Sequence, residues 1–194
     1  MNNLIKIRLE LLSFPQARAY WRQTVMKIIK RVFIVIAILL LITVFCFDNM
    51  KRNSVYYAKH TPHKEGTEPV LMMVVDNLDW IYNPELEGIE YDFDGGHVIY
   101  NNNYKSEDVP WFASQDGEEY HYGSNGYKSY SFNRNFELTY CRDRRVGKID
   151  IKDIDVEEVK KDIYKIVQPV IDEQTKPLIN LQWLFDIVYK DKFN

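Results

Sequence analysis

The chain lacks most of the features from which a function is usually assigned. Its 194 residues include only two cysteines, Cys46 in an apolar segment and Cys141 in the C-terminal part, so no disulfide can form within the C-terminal part itself. There is no N-x-[ST] glycosylation acceptor and no glycine-rich phosphate loop of either standard spacing. A C-terminal domain must therefore be held together by its core, and the sequence does not predict nucleotide chemistry.

Charge is missing from one long segment. Val32 to Phe47 is a run of sixteen uncharged residues, which spans about 24 Å as a helix at about 1.5 Å per residue. Extending it to residues 28–47 gives about 30 Å, the thickness of a bilayer's hydrocarbon core, provided that Lys30 and Arg31 bend their long side chains toward the headgroups. We predict a transmembrane helix at 28–47, within a longer helix that covers about 16–48.

The basic residues at the start of this segment have a simple interpretation. Lys27, Lys30 and Arg31 share one helix face, so we expect them to contact lipid headgroups and to stop transfer of the chain. A cleaved signal peptide is the main alternative. The 31-residue lead is long for a signal peptide, and no pair of small residues marks a cleavage site after Phe47, so we expect an uncleaved anchor.

The two ends of the chain differ in charge. Residues 1–31 carry seven Lys or Arg and one acid, which gives +6, whereas residues 48–194 carry the other eighteen bases and twenty-seven acids, which gives −9. Basic flanks tend to stay in the cytoplasm. We therefore expect a cytoplasmic N-terminus and an extracytoplasmic domain in a cell membrane, and an acidic domain argues against nucleic acid as a partner. An inverted topology is the alternative.

Composition divides the chain into four parts. We predict a basic cytoplasmic segment at 1–31, the transmembrane helix at 28–47, a polar juxtamembrane linker at 48–68, and an extracytoplasmic α+β domain at 69–194. Residues 4–11 alternate apolar and charged side chains, and both a strand and an interfacial helix remain open there.

Short apolar runs separated by turn residues predict an antiparallel β-meander between residue 69 and about residue 154. We expect Trp111 and Phe112 to lie in a long loop at 101–118, and Asp94-Gly95-Gly96 to form a tight hairpin. The predicted strands are Val70–Val75, Trp80–Tyr82, 89–93, 97–100, 119–122, 127–132, 136–140 and 149–151.

Helical spacing replaces the short runs near the C-terminus. Asp155, with Glu158 three residues later, predicts the start of a helix that Pro169 should kink or end. Pro177 is expected to open a second helix, and strands followed by helices predict an α+β domain with the helices on one face of the sheet. The apolar face of the second helix is predicted to contain Leu178, Leu181, Leu184, Phe185 and Val188.

Candidate chemical groups are few. His97 and His121 both fall on predicted strands and could meet across the sheet, but their spacing is not that of a zinc site. Neighbouring arginines could lower the pKa of Cys141, yet its register argues against a nucleophile. The acidic segment at 92–97 lacks the spacing of a calcium loop. We predict no catalytic residue, metal or cofactor.

Aromatic residues are the most unusual feature of the domain. They cluster around one predicted hairpin and the loop before it, and two helices cannot cover both faces of a sheet, so we predict that some rings form an exposed surface for a protein partner. The predicted binding residues are Tyr120, Tyr122, Tyr127, Tyr130, Trp111 and Phe112.

These observations support three hypotheses. The first is a non-enzymatic, single-pass membrane protein whose extracytoplasmic domain binds a protein partner within a cell-envelope assembly. The second is a membrane-anchored extracytoplasmic hydrolase that uses acidic residues and His97 or His121. The third inverts the topology and makes the domain a cytoplasmic regulator.

Overall fold

The computed structural model describes residues 15–94, 96–103, 109–124 and 127–194, with side chains from Tyr20 onward. The predictions for residues 4–11 and Gly95 fall outside these residues. The chain divides into two compact units, Met1–Cys46 and Phe47–Asn194. The second unit is α+β, with an antiparallel meander followed by C-terminal helices, as predicted.

Helix α1 (Pro15–Arg52) contains the apolar run. It is long and apolar enough to cross a membrane, and none of its most apolar window is buried in the protein. Lys27, Lys30 and Arg31 lie on this helix. A continuous helix of this composition fits a membrane anchor, because its exposed apolar side chains need a nonaqueous environment.

The segment at 48–68, predicted to be a linker, is instead part of the folded unit. Met50 is buried, and the short helix α2 (Ser54–Ala58) buries Val55 and Tyr57 completely. The buried Lys160 ammonium donates to the Gly66 carbonyl at 2.8 Å and pairs with Glu68 at 3.2 Å. The polar composition that indicated a linker belongs to side chains that make these specific contacts.

The prediction of a strand at Val70–Val75 is wrong. Residues Pro69–Asp76 form helix α3, with proline at its first turn. Its continuous apolar sequence reflects burial on nearly all sides, and an apolar run of this length does not distinguish a buried strand from a buried helix. Trp80–Tyr82, also predicted as a strand, lies in turns and a bend.

Seven strands form one antiparallel sheet in sequence order. Residues Trp111 and Phe112, expected in a loop, lie on β3. The last strand ends at Lys148, before residues 149–151, where a strand was predicted. Residues Ile151–Asp153 form a short 3₁₀ helix instead. The strands are β1 (Ile89–Asp92), β2 (His97–Asn101), β3 (Trp111–Gln115), β4 (Glu119–Gly123), β5 (Lys128–Asn133), β6 (Leu138–Asp143) and β7 (Gly147–Lys148).

One face of the sheet forms the core. Pairing aligns Phe112 with Tyr122 and Tyr122 with Tyr130, so these rings share the inner face. Phe136, predicted on a strand, lies in the β5–β6 turn at a positive φ of 64°, and its buried ring stacks on Phe132 at 4.8 Å. Burial of this ring offsets a backbone conformation that a phenylalanine rarely adopts.

Helix α4 (Val156–Asp172) covers part of this inner face and packs against α3, β2 and β3. The Asp155 carboxylate caps it by accepting from the Glu158 amide at 3.1 Å, as predicted. The helix continues past Pro169 to Asp172, so the alternative in which Pro169 ends the helix is wrong, whereas a kink stays a prediction. The missing N–H of the proline removes one helical hydrogen bond, and the helix ends three residues later.

The second C-terminal helix begins later than predicted. Helix α5 (Gln182–Val188) starts five residues after Pro177 and is followed by α6 (Lys190–Phe193). Of the predicted apolar face, Leu181 and Phe185 are buried, whereas Leu178 and Val188 are exposed. The predicted face failed because residues 177–181 are not helical, so the assumed 3.6-residue spacing does not apply there.

Candidate functional site

The predicted aromatic surface is largely interior. Tyr120 and Phe112 are fully buried, and Tyr122 and Tyr130 are nearly so. Trp111 is half-buried, and only Tyr127, at 47% exposure, is an exposed member of the set. Most of these rings are buried because they alternate onto the face that the helices cover, so an exposed aromatic surface is limited to Tyr127 and the half-buried Trp111, and a binding role of the set stays a prediction.

The two strand histidines do not meet. His97 pairs with Ser114 and His121 pairs with Ala113, so the two side chains project from opposite faces of the sheet. His97 Nδ1 lies 2.9 Å from the Val75 carbonyl oxygen. The one-residue difference in register excludes a shared metal or catalytic site for this pair.

One end of the inner face is built around Asp76, and we call it the closed end because its charged groups pair with one another. The Asp76 carboxylate accepts hydrogen bonds from the Ser114 hydroxyl and from the Tyr120 hydroxyl at 2.9 Å, and it pairs with Lys192 Nζ at 2.8 Å. Asp76 belongs to α3 and Lys192 to α6, and both residues also line a cavity of about 270 Å³. Burial and the adjacent Asp76 charge raise the pKa of Tyr120 far above its ordinary value.

The opposite end of the same face opens into a cavity of about 560 Å³ between the β4–β5 strands and α4. Tyr122, Tyr127 and Tyr130, three of the six predicted binding residues, line it together. We call this the tyrosine cavity. The other lining residues are Pro110, Ser124, Lys128, Asp143, Arg145, Glu158, Val159, Asp162, Lys165 and Ile166.

Two stacked rings form one wall of the tyrosine cavity. Tyr122 and Tyr130 are cross-strand partners with ring centroids 5.5 Å apart and an interplanar angle of 12°. Burial raises the pKa of Tyr130 to about 12, with additional contributions from Cys141, Asp162 and other acids. Its hydroxyl makes no hydrogen bond to another residue that the structure describes, so a neutral phenol lines the cavity as a donor and acceptor.

The rim of the tyrosine cavity combines an aromatic ring with a cation. The Arg145 guanidinium carbon lies 3.6 Å from the centre of the Tyr127 ring, a cation–π contact at an exposed position. The Arg145 amide donates to Asp143 Oδ1 at 2.7 Å. This turn therefore fixes the backbone of Arg145 and holds its planar side chain across the ring.

Charges of both signs line the cavity. Three acids and three bases contribute to it, and Lys165 Nζ pairs with Asp162 Oδ1 at 2.7 Å. Lys128 and Asp143 are cross-strand neighbours. A mixed lining of this kind suits a ligand that carries both charges and apolar surface, and it opposes a ligand of a single charge.

Sequence reasoning missed the charged half of the cavity. Glu158 and Asp162 lie on α4, distant in sequence from the tyrosines, and helical spacing alone marks them as an ordinary solvated face. The spacing of Glu158 and Asp162 at i and i+4 does indicate that they share a side of the helix. Which strands that side faces follows only from the packing.

Other predicted chemistry does not converge here. Burial raises the pKa of the Cys141 thiol, which opposes activation by the nearby arginines. Among the described residues, no group of three or more His, Cys, Asp or Glu side chains could hold a metal ion. No family model, no curated protein and no solved structure matches the chain.

Proposed function

We propose that the protein is a single-pass, membrane-anchored binding protein whose extracytoplasmic domain holds a protein partner at the tyrosine cavity, as a component of a cell-envelope assembly. The observation that carries this proposal is the exposed Tyr127–Arg145 pair on the rim of a cavity whose wall contains the Tyr130 hydroxyl, which has no hydrogen-bond partner among the described residues. Tyrosine and arginine are the residues most enriched among the energetic hot spots of protein interfaces.

The mixed charge of the cavity favours a polypeptide as its occupant. A peptide segment can place a carboxylate near Lys128 and a basic group near Glu158 while its apolar atoms pack on Tyr122. A phosphate group or a nucleic acid would meet three acids in the same lining. The presence of both charge signs around one aromatic wall thus supports a protein partner over a ligand of a single charge sign.

Anchoring is supported by the continuity of α1 with the domain. The helix extends to Arg52, and its last turns include Met50, which is 4% exposed within the second unit. Cleavage directly after the apolar run would remove Phe47, whose ring packs edge-on against Trp80, and a cut after Met50 would also remove a core side chain. Both contacts favour an uncleaved anchor. The +6 charge of residues 1–31 supports a cytoplasmic N-terminus and contact of Lys27, Lys30 and Arg31 with lipid headgroups.

A hydrolase based on the histidines has less support. His121 Nε2 lies 3.6 Å from Glu119 and His97 Nε2 lies 3.8 Å from Asp79, and both carboxylates are about half exposed or more. The Ser114 hydroxyl, the cross-strand neighbour of His97, donates to Asp76 instead. His121 Nδ1 does lie 3.1 Å from the Ser131 hydroxyl oxygen, but the Glu119 carboxylate near its other nitrogen is 63% exposed. The group therefore lacks the buried acid that orients the histidine of a hydrolase triad.

The proposal is tested by replacing the rim pair in the full chain and isolating the protein from membranes in mild detergent. Tyr127→Ala with Arg145→Ala should lower partner recovery about 30-fold or more, because a hot-spot residue contributes about 2 kcal/mol. A photo-crosslinking side chain at position 127 should form an adduct with the same partner.

The matched control is Tyr140→Ala with Lys148→Ala, which removes a similar cation–π pair, with 5.8 Å between Lys148 Nζ and the ring centre, outside the cavity. This control and a variant with His97→Ala and His121→Ala should both retain the partner. Equal loss in the rim and control variants, or a crosslink at position 140 as strong as at position 127, would contradict the proposal.

A further inference from the structure

A group of exposed apolar side chains lies on the second unit, on residues that do not line the tyrosine cavity. Leu178 is fully exposed, and Ile179, Trp183 and Ile187 are exposed as well. We call these four residues the α5 patch. Trp183 and Ile187 lie one turn apart on the same side of α5. Large exposed apolar surfaces on a domain usually mark a contact with protein or membrane.

The projecting position of Leu178 is fixed by its neighbours. Pro177 is buried, so the loop is anchored directly before Leu178 and Ile179 emerge into solvent. A buried proline restricts the backbone at this point, and the two exposed side chains are therefore presented by an ordered loop. Their exposure does not result from an unfolded end of the chain.

The opposite side of the same segment is bound to α2 through Tyr57. The Tyr57 hydroxyl lies 2.9 Å from the Ile179 carbonyl oxygen and accepts from the Leu181 amide at 3.2 Å. Gln182 Nε2 donates to the Tyr57 carbonyl at 3.0 Å, and the Phe185 ring centre lies 5.4 Å from that of Tyr57. These contacts direct one side of the segment inward and leave the α5 patch facing outward.

Tyr57 also links the patch to the residues at which the chain enters this unit. The Tyr57 hydroxyl lies 3.0 Å from Asn49 Oδ1, two residues beyond the predicted end of the transmembrane segment at residue 47. Trp80 packs edge-on against Phe47, with ring centroids 6.5 Å apart. Phe47 and Asn49 lie at or directly after the end of the apolar run in the sequence, so Tyr57 joins the Ile179 end of the α5 patch to residues that are adjacent in the chain to the membrane segment.

We propose that the α5 patch inserts into the headgroup region of the bilayer that the apolar segment spans. This inference rests on the anchoring part of the proposed function. Tryptophan favours this interface because its ring is apolar and its indole N–H can still hydrogen-bond to water or headgroups. Lys176, which is exposed and precedes the loop, is placed to meet lipid phosphate groups. Insertion would hold the domain in a defined orientation on the membrane.

The test uses the full chain reconstituted in phosphatidylcholine–phosphatidylglycerol vesicles whose acyl chains carry bromine, which quenches nearby tryptophans. Replacing the other three of the four tryptophans with phenylalanine leaves either Trp183 or Trp111 as the reporter. Trp183 should lose roughly half of its emission, since interfacial side chains reach about 5–10 Å into the boundary. Trp111 lies on β3 and should lose much less.

A second pair of variants tests whether the loop that contains Leu178 takes part in insertion. Both variants are made in the chain that keeps Trp183 as its reporter. Leu178→Asp should reduce the quenching at least about twofold, because a carboxylate resists entry into the interface. Val146→Asp is the matched control, since Val146 is also a turn residue and is 80% exposed. Both positions are exposed, so neither change should unfold the domain.

Equal quenching of Trp183 and Trp111, or equal effects of the two aspartates, would overturn the inference. Extraction of the vesicles with alkaline carbonate distinguishes this failure from failure of the anchor. A chain that is released by carbonate contradicts the anchoring proposal, whereas a chain that stays in the vesicles with Trp183 unquenched contradicts interfacial insertion alone.

Discussion

Tyr120 and Tyr122 are two residues apart on β4 and share the inner face, yet they lie at opposite ends of the core with different surroundings. The Tyr120 hydroxyl donates to Asp76, which in turn pairs with Lys192, so this hydroxyl is satisfied within the protein. Tyr122 stacks on Tyr130 beside an open cavity. Identical side chains on one strand thus form part of a closed core at one end and of a candidate binding surface at the other.

The helices account for this difference. Helices α3 and α6 supply opposite charges that meet at the closed end, so the Asp76 carboxylate there is satisfied within the protein. At the open end, Glu158 and Asp162 of α4 line the cavity together with Lys128 of β5, Arg145 of the β6–β7 turn and Lys165 of α4 itself. Buried polar groups that are fully paired stabilise a fold, whereas an unpartnered group beside a cavity can serve a ligand.

The largest expected effect comes from opening the closed end. Asp76→Ala removes the partner of Lys192 and two hydroxyl hydrogen bonds, and we expect the free energy of unfolding to fall by about 3 kcal/mol or more. Denaturant titration of the full chain in detergent, followed by far-UV circular dichroism, measures this change.

Asp79→Ala is the control, because Asp79 is 49% exposed and its ion-pair partner His97 is 3.8 Å away. It should change the free energy of unfolding by less than about 0.5 kcal/mol. Similar losses for Asp76→Ala and Asp79→Ala would show that the closed end is not the stabilising cluster.

A smaller effect on the free energy of unfolding is expected when one tyrosine hydroxyl is removed at each end of the core. Tyr120→Phe removes a hydrogen bond to a carboxylate and should lower the free energy of unfolding by about 1.5–3 kcal/mol. Tyr130→Phe removes a hydroxyl without a described hydrogen-bond partner and should change it by less than about 0.5 kcal/mol at neutral pH. The same denaturant titration compares them, and equal losses would contradict the contrast between closed and open ends.

The smallest effect is expected in alkaline solution. Burial raises the pKa of Tyr130 to about 12, above the value of about 10 in an unfolded chain. The folded protein therefore keeps this proton where the unfolded chain loses it. The resulting stabilisation is complete below about pH 10 and disappears as the pH rises toward about 12.

Tyr130→Phe should remove this part of the pH dependence, which we expect to amount to about 1–2 kcal/mol after screening by water in the cavity. Unfolding titrations at several values from about pH 9 to pH 12 compare the variant with the unaltered chain. Parallel curves for the two proteins would show that the Tyr130 hydroxyl is not protected in the folded state.

Several elements could be predicted because local signals were unambiguous. The apolar run forms a helix, the Asp155 cap begins α4, and the strands on either side of Asp94-Gly95-Gly96 pair antiparallel. Length, capping chemistry and turn residues act over a few positions, so they are readable without knowing the rest of the fold. The α+β class followed from the order of these elements.

Other predictions failed where contacts between residues far apart in the sequence decide the local structure. The apolar sequence at 70–75 suits any buried element, and burial on nearly all sides allowed a helix there. The polar segment at 48–68 folds because Tyr57 and Glu68 find partners more than ninety residues away. Composition does not reveal such partners.

The sequence by itself determined the α+β class, the apolar helix and the gathering of tyrosines on two neighbouring strands, because period, capping and turn chemistry are local properties. The tertiary structure alone decided which tyrosines are buried and that Tyr122, Tyr127 and Tyr130 share a cavity with charges from α4. It also decided that Leu178 and Trp183 face outward. The physical reason is that exposure depends on which helix covers which part of the sheet, and that packing joins residues far apart in the sequence.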